Sequence, residues 1–129
     1  AAPAGVGIDL VRVSTLRELD QRMQGVFVKR TFTPREQVLA ESRSDKWVFL
    51  AGRFAAKEAV FKATAHLLPE KTYDFRKVET LCCEDGSPYV VCDGSLREIL
   101  TRAGVNALLI SITNEDDYAM ALAQAVSCK

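Results

Sequence analysis

The hydrophobic positions in the first half of the chain predict one strand followed by three helices. Residues 3–11 form a continuously apolar run that only two glycines and Asp9 interrupt, which is typical of a buried strand. Helical spacing then predicts helices over residues 15–24, 34–41 and 46–66. Ser14 is expected to cap the first of these helices and Gly25 to end it. Thr33 and Glu36 form a capping box at the start of the second. Ser44 or Asp45 is expected to cap the third, and Pro69 to close it.

In the second half the pattern changes to the period of strands. Residues 78–83 and 89–92 flank a hairpin turn around Asp85-Gly86. A helix capped by Ser95 or Asp93 is expected to end at Ala103, before a strand over residues 108–113 and a turn over residues 114–117. Residues 118–126 alternate large side chains with alanine, which predicts a strand with one close-packed face. Helices early and antiparallel strands late predict an α+β fold.

Size and composition favour a single domain over residues 1–129. The chain has 129 residues, of which 48% are hydrophobic, enough for a sizeable core. It shows no apolar run of transmembrane length and no charged region typical of a signal peptide, so we expect a cytosolic protein without a membrane or nucleic-acid partner. The four cysteines lack C-x-x-C spacing and His66 is the one histidine, which argues against zinc. We expect reduced thiols in the core.

The net charge is zero, but its distribution along the chain is uneven. Residues 12–35 carry six cations against Glu18 and Asp20, while residues 115–117 are all acidic. The six cations are Arg12, Arg17, Arg22, Lys29, Arg30 and Arg35. A basic face on a neutral protein indicates an anionic partner, although an ordinary solvated helix face would give the same composition.

Two carboxylates stand where a core would carry Leu or Val. At 100° per residue, Glu58 lies in the middle of the apolar stripe of the third predicted helix, and Asp9 interrupts the first strand. Such burial costs several kcal/mol unless a cation or hydrogen-bond donors compensate it. A divalent metal is the candidate. Mg²⁺ takes one or two protein carboxylates and fills its remaining positions with water and phosphate oxygens, and no third protein ligand is evident.

Three basic residues of the same helix are candidates for phosphate contacts. Lys62 lies one turn beyond Glu58, where it could form an ion pair or meet phosphate beside the metal. Arg53 and Lys57 lie on an adjoining face and are either further phosphate contacts or simply solvated. The chain has no P-loop and no G-x-G-x-x-G, which argues against a nucleotide kinase or dinucleotide enzyme. The residues alone thus predict a Mg²⁺ site that handles a phosphate compound.

Five segments stand in the order of one known family: GVGIDLV, FTPRE, FLAGRFAAKEAVFKA, EDGSPYV and LLISITNEDDYAMALA. From about Gly5 to Ala125 the chain resembles the holo-acyl-carrier-protein synthases, the short type of 4′-phosphopantetheinyl transferase. The resemblance implies one long helix packed on a small, mainly antiparallel sheet. It also implies transfer of the 4′-phosphopantetheine arm of coenzyme A to a serine of an acyl or peptidyl carrier protein, with release of adenosine 3′,5′-bisphosphate.

The resemblance also implies roles for individual residues. Asp9 and Glu58 correspond to the Mg²⁺ ligands of the family, and Lys62 to the lysine that stabilises or protonates the leaving bisphosphate. Either Glu58 or a water on the metal would remove the serine proton. The family forms homotrimers with sites between protomers, where Arg53 and Pro88 would contact the nucleotide and Ser111 and Asn114 would come from the neighbouring chain. Acidic carrier proteins would dock on Arg12, Arg17, Arg22 and Arg30, with Phe27 as an apolar anchor.

The chain departs from the family in two places. Asn114 stands where many members have a histidine that meets a phosphate of coenzyme A, and asparagine cannot carry charge. Residues 64–69 replace a glycine-rich loop, and His66 within them is no substitute for the missing histidine. Two alternatives therefore stay open: a catalytically weak module that binds coenzyme A or a carrier protein, and a structural domain whose two buried acids are paired with arginines.

Overall fold

A computed structural model describes residues 2–68 and 74–127 of the chain. These residues form five strands and five α-helices, with short 3₁₀ helices at Ala65–Leu67 and Phe75–Lys77. The strands are β1 (Ala2–Arg12), β2 (Thr80–Cys82), β3 (Pro88–Val90), β4 (Ala107–Glu115) and β5 (Tyr118–Ser127). The helices are α1 (Val13–Arg22), α2 (Val26–Thr31), α3 (Pro34–Glu41), α4 (Lys46–Thr64) and α5 (Gly94–Ala103).

The long helix α4 packs on one face of a three-stranded antiparallel sheet of order β1-β5-β4. Four alanines of β5 supply the centre of that inner face, and each is no more than 1% exposed. They are Ala119, Ala121, Ala123 and Ala125. The β2–β3 hairpin forms a second, two-stranded sheet. The predicted α+β fold, with one long helix on a small antiparallel sheet, is confirmed.

Two glycines of β1 let α4 approach the sheet closely. A Cβ atom on Gly7 would lie 2.0 Å from the carbonyl oxygen of Ala59, and one on Gly5 would lie 1.9 Å from that of Ala63. No real side chain tolerates such distances, so glycine is required at both positions for this packing. Positions 5, 7 and 9 lie on the same face of β1, so the Asp9 side chain also points toward α4.

The opposite face of the three-stranded sheet is apolar and exposed. Seven large apolar side chains from all three strands lie on it, each between 37% and 65% exposed. They are Val6, Ile8, Leu10, Leu109, Tyr118, Met120 and Leu122. We call this surface the outer sheet face. Contiguous apolar surface of this kind marks an interaction site.

Local signals predicted several elements well. The capping box of α3 is present, because Thr33 Oγ1 accepts from Glu36 N and the Glu36 carboxylate accepts from Thr33 N. The hairpin, α5 with its end at Gly104, and the alternating strand β5 are also confirmed. The predicted end of the long helix at Pro69 lies outside the described residues, and α4 itself ends at Thr64 before the 3₁₀ turn.

Several local predictions are wrong. Asp45 and Asp93 stand at the starts of α4 and α5, but neither side chain makes the expected capping hydrogen bond. Residues 26–31 form the helix α2, which the sequence did not indicate, and the Asp20 carboxylate caps it by accepting from Val28 N. Ser14 does not cap α1. The helix begins at Val13, and Ser14 instead donates its N–H and hydroxyl to the Asp117 carboxylate. The predicted turn at residues 114–117 is shorter, since β4 continues through Glu115.

The cysteines only partly follow the prediction of reduced core thiols. Cys82, Cys83 and Cys92 are free, and Cys128 lies outside the described residues. Cys83 is exposed, which corrects its placement in the core, while Cys82 and Cys92 are half-buried. Within the described residues no helix has the length and apolarity needed to cross a membrane.

Candidate active site

Asp9, Glu58 and Lys62 come together where β1 meets α4. The Lys62 ammonium donates to Asp9 Oδ1 and to the carbonyl oxygen of Ile8, each at 3.0 Å. The Asp9 side chain is 16% exposed and that of Lys62 is 50% exposed, so the lysine can also reach a ligand in solution. The sequence predicted this grouping, and the glycines of β1 bring the two elements close enough to form it.

Glu58 is the carboxylate in this cluster whose charge is compensated only in part. Burial raises the pKa of the Glu58 carboxyl above its ordinary value and the charge of Asp9 raises it further, while Lys62 lowers it. Among the described residues, no hydrogen-bond or ion-pair partner of Glu58 is found. The arginine partners that the structural-domain alternative requires are also not found among these residues, because the partner of Asp9 is Lys62. A divalent cation between the carboxylates would offset both the desolvation cost of the Glu58 charge and its repulsion by Asp9.

The donor set fits Mg²⁺ better than it fits zinc or calcium. Within the described parts of the chain, no group of three or more His, Cys, Asp or Glu side chains could hold a metal ion. Two hard carboxylates in a pocket of about 440 Å³ leave room for waters and phosphate oxygens, which is the arrangement that Mg²⁺ adopts in phosphate sites. The residues therefore fit a metal that is held partly by its substrate.

The pocket is lined by both polar and apolar side chains. Asp9, Glu58 and Lys62 line it together with Arg12 and Thr15. Leu16 and Leu19 of α1 and Phe54 of α4 supply apolar surface. The pocket therefore lies beside α1, the helix that carries two of the predicted docking arginines.

Arg53 and Pro88, predicted to contact the nucleotide, lie near one another but away from this pocket. The Arg53 guanidinium donates to the carbonyl oxygen of Leu81 at 3.2 Å and to Cys82 Sγ at 2.9 Å, and it lies 4.7 Å from the centre of the Phe49 ring. Cys82 pairs with Pro88 across the hairpin. Arg53 is only 5% exposed, so most of its surface is already committed to these contacts.

Ser111 and Asn114 lie on β4, the edge strand opposite to the one that carries Asp9. Both are exposed. Ser111 is paired with Leu122 on the outer sheet face, whereas Asn114 is paired with Ala119 of the inner face. Because residues three apart in a strand point to opposite faces, the structure does not bring these two side chains together on one surface.

Lys57 corrects the expectation of a solvated or phosphate-binding residue. It is fully buried, with its ammonium 2.8 Å from the Glu36 carboxylate. Burial lowers the pKa of the Lys57 ammonium, and the charge and hydrogen bond of Glu36 oppose that change. No sequence signal indicated this pair, because a helical projection shows the direction of a side chain but not what covers it.

The predicted docking residues divide into two groups. Arg17 and Arg22 on α1 and Arg30 on α2 are exposed, as is Lys29. Arg12 is also exposed, but it ends β1 and its guanidinium lies over the Tyr118 ring at 4.7 Å and near Asp117. Phe27 is half-buried and makes edge contacts with Phe32 and Phe54, so only part of its ring is available to a partner.

Comparison with known proteins identifies the family of the chain. The model of the 4′-phosphopantetheinyl transferase superfamily matches residues 5–123. The chain is 37% identical over 122 residues to a holo-[acyl-carrier-protein] synthase of Desulforudis audaxviator, covering 95% of this chain and 92% of that protein. It is also 36% identical over 121 residues to one of Chlamydia trachomatis, covering 94% and 98%.

Solved structures give the same result. The holo-[acyl-carrier-protein] synthase of Neisseria meningitidis superposes with a TM-score of 0.87 at 26% identity, covering 98% of this chain and all of that one. A complex of the Chronobacterium ammoniagenes enzyme with coenzyme A has a TM-score of 0.83 at 30% identity, covering 97% and 98%. The chain therefore belongs to the 4′-phosphopantetheinyl transferase superfamily, as one of its holo-[acyl-carrier-protein] synthases.

Proposed function

We propose that this enzyme transfers the 4′-phosphopantetheine arm of coenzyme A to a serine of an acyl or peptidyl carrier protein, with Mg²⁺ and with release of adenosine 3′,5′-bisphosphate. The observation that carries the proposal is the contact of Lys62 with Asp9 beside the partly buried carboxylate of Glu58, in a pocket next to α1. The complexes of relatives with coenzyme A support the choice of substrate.

Glu58 and Lys62 have different roles in the transfer. The serine oxygen forms a bond to the phosphorus of the phosphopantetheine group, while the bond from that phosphorus to the bridging oxygen of the bisphosphate breaks. Glu58 accepts the serine proton as the general base. Lys62, half exposed and already at the site, neutralises or protonates the leaving bisphosphate. Proton and charge thus balance between the two side chains.

Asp9 and Glu58 would hold Mg²⁺. When bound, the ion supplies charge neutralisation for the pyrophosphate of coenzyme A and for the charge that develops on its leaving oxygen. Lys62 would then exchange part of its contact with Asp9 for contact with phosphate. Arg53 and Pro88 would contact the nucleotide from the hairpin side.

We propose that an acidic carrier protein docks on the exposed cations of α1 and α2. Arg17, Arg22 and Arg30 are the main contacts, and charge complementarity with an acidic helix favours their use. Arg12 would act at the edge of the pocket, since it is already held by Tyr118 and Asp117. The exposed part of Phe27 would be the apolar contact.

We also propose that the protein is a homotrimer with sites between protomers. The outer sheet face supports self-association, because so much apolar surface is otherwise in water. The number three comes from the family resemblance. Within one chain Arg53 and Pro88 are outside the pocket of Asp9 and Glu58, which favours sites shared by two protomers. A cytosolic location remains the expectation from the sequence.

Mass spectrometry of carrier proteins tests the transferase proposal. Apo acyl and peptidyl carriers, incubated with the enzyme, coenzyme A and Mg²⁺, should gain the mass of phosphopantetheine. Omission of Mg²⁺ with a chelator present, and a carrier whose serine is replaced by alanine, are the controls. No gain on several carriers would refute the proposal. Tight binding of coenzyme A without any gain would instead favour the non-catalytic binding module.

A further inference from the structure

The buried pair of Glu36 and Lys57 has all of its hydrogen-bonding capacity in use. The Lys57 ammonium donates to Glu36 Oε1 at 2.8 Å and to the carbonyl oxygens of Phe75 at 2.8 Å and Val78 at 2.7 Å. The other Glu36 oxygen accepts from both the N–H and the hydroxyl of Thr80, each at 2.8 Å. The two side chains are 1% and 0% exposed, so the pair is shielded from water.

These bonds join three separate parts of the chain. Glu36 belongs to the first turn of α3, Lys57 lies near the middle of α4, and the carbonyl of Val78 and the N–H and hydroxyl of Thr80 lead into β2. The β2–β3 hairpin is thereby fixed against α4 at its base. Arg53 fixes the same hairpin one turn earlier along α4, through Leu81 and Cys82.

The stability of the fold does not by itself explain why an ion pair is buried at this position. Apolar side chains of the same volume would stabilise such an interior position as well or better, because the pair must first be desolvated. The pair instead fixes the position of the β2–β3 hairpin relative to α4. Six directed hydrogen bonds at Glu36 and Lys57, one of them from the N–H of Thr33, permit one arrangement of hairpin and helix, whereas an apolar contact would tolerate sliding.

We propose that Glu36 and Lys57 are positioning residues that set the affinity for coenzyme A by fixing the β2–β3 hairpin against α4. The inference rests on the proposed function, in which Pro88 and Arg53 contact the nucleotide. Lys57 touches neither substrate nor metal. It acts through the hairpin that carries Pro88.

The position of Glu58 separates the effect expected on coenzyme A binding from any effect on the reacting groups. Glu58 is the next residue after Lys57, but its side chain points about 100° away around α4. It lines the pocket with residues of β1 and α1, where the glycines of β1 hold it near Asp9. Loosening the hairpin should therefore weaken binding of coenzyme A and leave the reacting groups in place. In kinetic terms, the KM for coenzyme A rises while kcat at saturating coenzyme A and the requirement for Mg²⁺ are retained.

The test replaces the pair without leaving a charge unpaired. In the double variant Glu36→Gln/Lys57→Met, the KM for coenzyme A should rise about tenfold with little change in kcat. Amide hydrogen exchange at Thr80 and Val91 should become faster, and the Kd for coenzyme A by calorimetry should rise in parallel. Thr80→Val is a milder second variant, which loses one hydroxyl donor at nearly constant volume and should raise the KM less.

The exposed pair of Glu41 and Lys46 is a matched control, because it also joins α3 to α4. Its double variant Glu41→Gln/Lys46→Met should leave the KM unchanged. The inference is overturned if folded Glu36→Gln/Lys57→Met and Thr80→Val enzymes keep the normal KM, if kcat falls instead, or if the control raises the KM equally. If the wild-type enzyme transfers nothing, the proposed function fails, while hairpin exchange and the Kd for coenzyme A still decide the inference.

Discussion

Gly7 of β1 lies directly under Ala59 of α4, so close that a Cβ on Gly7 would be 2.0 Å from the Ala59 carbonyl oxygen. Ala59 follows Glu58 in the chain, and Asp9 lies two residues after Gly7 on the same face of the strand. The helix-to-strand contact that requires glycine is therefore the contact that sets the separation of the two candidate metal ligands.

Gly7→Ala should lower both the unfolding free energy and kcat, with the larger consequence for kcat. The added methyl group must push α4 away from β1, and overpacking of this kind costs about 1–3 kcal/mol of unfolding free energy. A displacement of even about 1 Å at the paired carboxylates should lower kcat by about 100-fold. Steady-state kinetics and denaturant unfolding measure the two effects.

Gly104→Ala is a suitable comparison for this variant. Gly104 has a φ of 74° at the end of α5, and a Cβ atom there would meet no other atom within 4 Å, so alanine is strained without any clash near the site. It should lose a comparable amount of stability, about 1 kcal/mol, with normal kcat. Normal kcat in a folded Gly7→Ala enzyme would show that the close contact does not position the ligands.

Glu58→Gln should stabilise the metal-free protein at neutral pH while it abolishes transfer. Because the pKa of Glu58 is raised on folding, the folded state holds this proton more tightly than the unfolded state. The wild-type protein therefore loses stability as the pH rises from the unfolded pKa through the folded one. The variant lacks this loss, so it should gain stability at pH 7 but not below the unfolded pKa.

Urea unfolding at about pH 4 and pH 7 measures the difference, with the wild type as reference. Added Mg²⁺ should stabilise the wild type at pH 7 and have little effect on Glu58→Gln, because the ion binds the native carboxylates. Turnover of the variant should fall by at least about 100-fold. An equal stabilisation of both proteins by Mg²⁺ would contradict the assignment of Glu58 as a ligand.

Two lysines five residues apart in α4 should respond oppositely to the same substitution. Lys57→Met leaves the buried Glu36 carboxylate without its cation and should cost about 3–5 kcal/mol of unfolding free energy. Lys62→Met removes a half-exposed pair worth about 1 kcal/mol or less. It should nevertheless lower kcat by about 100-fold, because the leaving bisphosphate loses its proton donor. Thermal unfolding and single-turnover kinetics separate the two. Similar losses of unfolding free energy in the two variants would show that burial does not distinguish Lys57 from Lys62.

The sequence predicted best those features that short segments determine. The capping box of α3 involves residues three apart, and the alternation of β5 is visible within ten residues. Asp9 and Glu58 were identifiable because each places a charge in an apolar run. In each case the signal and the structure it predicts lie in the same segment.

Features that depend on distant residues were missed. Ser14 resembles a helix cap, but Asp117, 103 residues away, takes both of its donors. The helix α2 is short and rich in β-branched residues, so its own propensity is low and the Asp20 carboxylate and aromatic packing stabilise it instead. Lys57 has its three acceptors in two other segments, at Glu36 and at residues 75–78, and a helical projection includes neither.

Leu122→Arg should disrupt self-association. Leu122 is 45% exposed at the centre of the outer sheet face, so an arginine there would bury charge in any interface formed by that face. Light scattering coupled to size exclusion should show the wild type at three times the mass of one chain and the variant at lower mass. Val38→Arg, at a 70% exposed position on α3, should leave the mass unchanged. A wild type that is monomeric at micromolar concentration would refute the trimer.

If sites are shared between protomers, two inactive variants should restore activity to each other when mixed. Glu58→Gln removes a metal ligand, and Asn114→Asp places a negative charge where a phosphate of coenzyme A is proposed to lie. Asn114 lies on β4 and Asp9 on β1, at opposite edges of the sheet, so the two substitutions affect different sides of a shared site. In a closed ring, a site with native Glu58 from one protomer and native Asn114 from its neighbour forms at about one quarter of interfaces after equal mixing.

Refolding the two variants together should therefore recover about a quarter of wild-type turnover at subsaturating coenzyme A, whereas mixing without subunit exchange should recover none. A control chain that carries both substitutions, refolded with Glu58→Gln, should stay inactive because no protomer then supplies Glu58. Absence of recovery in co-refolded trimers would show that Asn114 and Glu58 serve the same site from one chain. The contribution of Asn114 would then have to be argued from a single protomer.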